Sequence, residues 1–92
     1  MSTYVLFGKY SQESIKEISA GRTQKARQVI ADSGGSVKSG YAMLGEVDLL
    51  VIADFPSNDQ AMKASVGLAK LLGVGFTTAP AVSMDEFDKL VG

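Results

Sequence analysis

Asp48-Leu49-Leu50-Val51-Ile52-Ala53 is the stretch whose reading decides the fold. Side chains of a strand alternate between two faces, so a strand with one wet face alternates apolar with polar. Here both parities are apolar. Leu49 to Ala53 is the longest uninterrupted apolar run, at five residues, against roughly 20 for a bilayer span. The run therefore predicts a central strand over 48–54, covered on both sides. Gly45-Glu46-Val47-Asp48 reads as the turn into it. Val37 to Leu44 reads as the strand before, with Val37, Ser39, Tyr41 and Met43 on one face and Lys38, Gly40, Ala42 and Leu44 on the other. So few residues separate the two strands that they must pair antiparallel.

Upstream, Thr3 to about Lys9 is a strand by its β-branched and aromatic content. Ser11 is a plausible N-cap with Glu13 in the first turn. Ile15, Ile18, Ala26, Val29 and Ile30 keep helical spacing, and Gly21 interrupts it. One broken helix or two in tandem are predicted over 12–33, ended by Gly34-Gly35. Downstream, Ser57 and Gln60 make a capping box. Ala61, Ala64, Leu68, Leu71 and Leu72 form an apolar stripe, and Gly73 stops the helix. Val74 to Val82 is the last strand, where Pro80 demands an edge or a bulge. Ser83 and Glu86 open a short helix with Phe87, Leu90 and Val91 on one side. The order β-α-β-β-α-β plus a terminal helix predicts an α+β, ferredoxin-like fold with a four-stranded antiparallel sheet.

Ninety-two residues make one domain, 1–92. Nine bases against ten acids give a net charge of −1, a poor endowment for gripping phosphate backbones, so no nucleic-acid partner is expected. The absence of His, Cys and Trp removes thiol nucleophiles, His-based triads and the usual zinc and haem ligands. No metal site and no cofactor are expected. The start, Met1 to Lys9, lacks a basic n-region and a long apolar segment, so the expectation is a cytoplasmic protein without a membrane partner. Residues 1–38 carry six bases and three acids, and residues 39–92 three and seven. That asymmetry offers either a basic face or a solvated helix with mixed charges.

A ferredoxin-like unit lays its two long helices on one face of the sheet. The other face is apolar here too, with Val5, Leu6 and Phe7 consecutive in the first strand. The terminal helix is too short to cover four strands. A second copy of the same sheet is the expected lid, giving a homodimer or a larger homo-oligomer.

Thr3-Tyr4-Val5, Tyr10, Arg22, Gly34-Gly35, Gly45-Glu46-Val47-Asp48 and Ser83-Met84-Asp85-Glu86-Phe87 follow in an order that resembles the GYD domain family across about residues 3–90. The resemblance implies a dimeric α/β barrel, similar in layout to antibiotic-biosynthesis-type monooxygenases and muconolactone-isomerase-like proteins. Val47 stands where that family usually has Tyr, so no hydroxyl-dependent role carries over to it.

The candidate ligand-binding residues are Tyr10, Arg22, Tyr41, Gly45 and Asp48. Gly45 suits a turn needing positive φ, and Asp48 suits hydrogen bonding to turn amides. If Asp48 instead faces a cleft, it is the candidate base. Tyr10 and Tyr41 serve either packing or hydrogen bonding. Arg22 could neutralise Asp48 or hold an anion. The expected function is a homo-oligomeric module that binds a small apolar or aromatic ligand or a partner protein. The competing expectation is a cofactor-free monooxygenase- or isomerase-type enzyme using Asp48 and tyrosines.

Overall fold

The computed structural model describes residues 1–92. β1 (Ser2–Tyr10) leads into α1 (Gln12–Ile15) and α2 (Ala20–Asp32). β2 (Ser36–Ala42) and β3 (Leu49–Phe55) follow, then α3 (Asn58–Leu72), β4 (Val74–Ala81) and α4 (Met84–Val91). The sheet order is β2-β3-β1-β4 with every neighbouring pair antiparallel. This is the ferredoxin-like α+β architecture read from the sequence. Pro80 lies on edge strand β4, where its missing N–H breaks no ladder. No helix is long and apolar enough to cross a membrane.

The register divides the sheet into two faces. Tyr4 pairs with Ala53 and Leu6 with Val51, while Gly8 lies opposite Phe76. These residues face the helices. Tyr4, Leu6, Ala53, Phe55 and Val74 are buried there against Ile30 of α2 and Ala61, Ala64, Leu68 and Leu72 of α3. Leu71, read from sequence as part of that stripe, is exposed. The Tyr4 ring meets Phe55 edge-on, with centroids 5.6 Å apart, and its hydroxyl donates to Asn58 at 2.5 Å. The other face carries Val5, Phe7, Leu50 and Ile52, and no helix lies on it.

Three local readings change. The break within 12–33 falls at Lys16–Ser19 rather than at Gly21. Ser19 accepts a hydrogen bond from the Arg22 N–H and starts α2, and Gly21 sits inside the first turn. A satisfied N-cap punctuates a helix more firmly than one glycine. In β2, Val37 pairs with Ala53 and Ser39 with Ile52, leaving Lys38 as a bulge. The expected alternation therefore inverts after Lys38, and Tyr41 joins the uncovered face with Leu50. At α3, the Ser57 hydroxyl donates to the Gln60 side chain and caps no backbone amide. The second box is better: Ser83 accepts from the Glu86 N–H at 3.1 Å.

α4 stands apart. All its residues are exposed, and it packs substantially on no other element. The radius of gyration is 13.6 Å, above the ~12 Å of a compact chain of this length. The terminal helix thus leaves the far side of the sheet uncovered.

Two predictions follow from this packing. A Cβ on Gly35 would lie 2.5 Å from the Phe55 ring and 2.7 Å from the Asp54 carbonyl oxygen. Gly35→Ala should destabilise the fold by about 1–3 kcal/mol, read as a lower urea midpoint. Separately, Thr3 donates to Asp54 at 2.8 Å, and the Lys38 ammonium lies 3.4 Å from the same carboxylate. Chiefly the Thr3 bond, opposed by desolvation and helped by Lys38, holds the Asp54 carboxyl below its ordinary 3.8. A lowered folded value means stability that is present above 3.8 and lost as pH falls through the folded value. Thr3→Val should raise the Asp54 midpoint toward 3.8 in an NMR carboxyl titration.

Candidate functional site

α2 turns one face to the sheet. Ser19, Arg22, Thr23, Ala26, Arg27 and Ile30 are spaced i, i+3, i+4, i+7, i+8 and i+11, which stacks them on a single side. Beneath that side lies a cavity of about 330 Å³, at the lower end of the roughly 300–1,000 Å³ typical of small-molecule sites. It exists because the facing residues are small. Ala26 on α2 meets Gly40 and Ala42 on β2, and those three positions cannot fill the space between helix and edge strand. Val51 and Phe76 contribute sheet side chains, and Leu68 and Leu72 come from α3. A larger groove of 660 Å³ between the outer sides of α2 and α3 is open to solvent and bears Asp32, Asp59, Lys63 and Lys70. It lacks the apolar enclosure that holds a small molecule.

Three of the five residues proposed from sequence meet at the cavity: Tyr10, Arg22 and Tyr41. Tyr10 is half-buried and comes from the end of β1. Tyr41 contributes at the rim and stays 58% exposed, as its pairing with Leu50 on the uncovered face requires. The structure does not bring Gly45 or Asp48 to the cavity. Gly45 has φ 118°, in the region open to glycine, and lies in the loop between β2 and β3. Asp48 ties that loop to β1. Its carboxylate accepts from the Tyr10 N–H at 2.8 Å, and its own N–H donates to the Gly8 carbonyl at 2.8 Å. The bond closes the end of β1 rather than the loop's own amides.

Arg22 does not pair with Asp48. Its guanidinium donates to the Ser14 carbonyl at 2.7 Å, the Ser14 hydroxyl at 2.7 Å and the Leu72 carbonyl at 2.5 Å. Ser14 lies in α1 and Leu72 ends α3, so one cation satisfies carbonyls at two helix ends, where the dipole favours positive charge. Three of its five N–H donors are used, leaving two. Ser14 itself is buried and donates to the Leu72 carbonyl. Its part in this clasp had no sequence signal, since serines are common in exposed first turns. Arg27 also lines the cavity. It reads in sequence as one charge of a solvated helix, and only its spacing of five from Arg22 and four from Thr23 marks the shared face.

Among the lining residues there is no Asp or Glu. The cavity thus offers apolar walls, hydroxyls and guanidiniums, and no carboxylate to act as a general base. That chemistry suits binding better than proton abstraction.

In overall shape the chain is similar to the leucine response regulatory protein LrpA of Mycobacterium tuberculosis. The TM-score is 0.59 at 10% identity, covering 90% of this chain and 51% of that one. The chain spans about half the length of that protein, and the likeness concerns the fold. Among curated proteins none has a matching sequence. The sequence profile of the GYD domain does match, over residues 4–91, and with nearly the whole length covered the chain belongs to the GYD domain family.

Proposed function

We propose that the protein is a homo-oligomeric module that binds a small, largely apolar molecule beneath α2. The observation that carries this reading is the cavity itself, preserved by Ala26, Gly40 and Ala42 where larger side chains would close it. A core that served only stability would gain by filling the space, since voids of this kind forfeit packing energy. LrpA, whose name records a response to leucine, is a protein in which a fold of this shape occurs alongside a response to a small molecule.

Self-association is supported by surface arithmetic. The chain exposes 6193 Å². A folded monomer of 9.7 kDa is expected to expose about 5,100 Å². The excess of roughly 1,000 Å² is close to the ~800 Å² that each partner buries in a standard interface. Only twelve of the ninety-two residues are buried, so the isolated core is thin. The uncovered sheet face supplies Val5, Phe7, Leu50 and Ile52. The exposed side of α4 adds Met84, Phe87 and Leu90, free to close over the rim of a partner. A second copy meets the first across a two-fold axis, apolar face to apolar face.

Native mass spectrometry tests both parts, because it reports subunit number and any retained small molecule together. A dimer or a multiple of it is expected, and a bare monomer overturns the assembly. Ile52→Lys removes an apolar contact worth about 1.5–3 kcal/mol from each side of the axis. It should weaken dimerisation by at least a hundredfold in sedimentation equilibrium. Ala42→Phe should fill the cavity, leaving subunit number unchanged and abolishing binding of 1-anilinonaphthalene-8-sulfonate at that site.

A further inference from the structure

The cavity has a charge polarity that its apolar walls conceal. Its only charged lining groups are the guanidiniums of Arg22 and Arg27, on adjacent turns of one face of α2. Arg22 is held by uncharged oxygens of Ser14 and Leu72, which take three of its five donors and bring no carboxylate to it. Arg27 makes no ion pair, the protein's one ion pair being Lys38–Asp54, and no side-chain hydrogen bond. Resting on the reading of this cavity as a ligand site, we infer that the ligand is an amphipathic anion. Its apolar body lies against Ala26, Val51, Phe76 and Leu68, and its carboxylate or an equivalent acid group sits at the mouth, paired with Arg27 and with the spare donors of Arg22.

Three physical points favour this class over a neutral or cationic molecule. A guanidinium presents paired donors in a plane that matches a carboxylate. At the edge of an apolar cavity the attraction is screened less than on an open surface. A cationic ligand would meet two like charges with no acid to offset them. The Ser19 hydroxyl lies on the same helix face, accepts from the Arg22 N–H and keeps its proton free to donate to the same head group, and the positive end of the α2 dipole adds to the bias. The ends of the cavity therefore differ. The α3 wall at Leu68 takes the apolar end, and the end at Arg22 and Arg27 takes the charge.

The test compares octanoate, octanol and octylamine, which share one apolar chain and differ in head group, by ligand-observed NMR and calorimetry on the intact protein. Octanoate should bind at least tenfold more tightly than octanol, with octylamine weakest, and its advantage should shrink as salt is raised. Arg27→Gln, an exposed substitution that leaves the Ser14–Leu72 clasp intact, should remove most of octanoate's advantage over octanol, and an undiminished advantage overturns the role of Arg27. Equal or tighter binding of octanol by the unaltered protein overturns the anion preference while the cavity remains a ligand site. Failure of all three to bind, with Ala42→Phe giving the same blank result, overturns the cavity as a site and the anion preference with it.

Discussion

The structure depends on an imbalance between apolar surface and available cover. β1 and β3 are apolar on both faces, and the chain has only two helices long enough to shield a sheet. α2 and α3 both lie on one side, as right-handed crossovers between β1 and β2 and between β3 and β4 require. The ten-residue core forms there. On the other side Phe7 remains 37% exposed at the middle of the sheet. Nothing in the remaining chain can correct this, because α4 is eight residues long and projects away. Hydrophobic burial is the dominant favourable term in folding, and here a good part of it is left unused by the single chain.

The same shortage shapes the helical side. α2 carries only Ile30 into the buried core, whereas α3 carries four residues. α3 therefore grips the sheet and α2 stands off it, held mainly at its ends. At its start the Arg22 clasp fixes it to α1 and to the end of α3. Past its other end, Gly35 packs directly against Phe55. Between these two anchors the small residues Ala26, Gly40 and Ala42 leave room. The void is bounded by a rigid sheet and a helix pinned at two points, which is the pre-formed concavity that small molecules need. An arginine used as a helix clasp also leaves its positive charge at the cavity wall, so one residue serves both folding and the electrostatic character of the site.

Much of the fold was legible because its signals were local and strong. The all-apolar run at Leu49–Ala53 fixed the central strand, Pro80 placed β4 at an edge, and Gly73 ended α3 in the left-handed conformation at φ 65°. The bulge at Lys38 was not legible. A bulge is a property of two paired strands, and β2 alone reads as a clean alternation. The site was half legible. Tyr10, Arg22 and Tyr41 are conspicuous residue types near element ends, and the fold gathers them. Asp48 was equally conspicuous, but its carboxylate goes to the Tyr10 amide, a partner 38 positions away in sequence. Arg27 was hidden among ordinary helix charges because its role depends on what α2 faces, and the cavity arises from absent side chains, which leave no motif.

The two halves of the proposed function use opposite sides of the sheet, and this constrains how they communicate. The cavity lies on the helix side of the sheet, away from Val5, Phe7 and Ile52. Two strands border both: β3, with Leu49 and Val51 at the cavity and Leu50 and Ile52 on the uncovered face, and β2. Its Gly40 and Ala42 border the cavity, and its Ser39 and Tyr41 belong with Ile52 and Leu50 to the uncovered face. β2 is also an edge strand, paired on one side only and bulged at Lys38. Coupling between two sites needs an element that both can bias. β2 meets that requirement by position, since Gly40 and Ala42 line the cavity and Ser39 and Tyr41 pair on the opposite face.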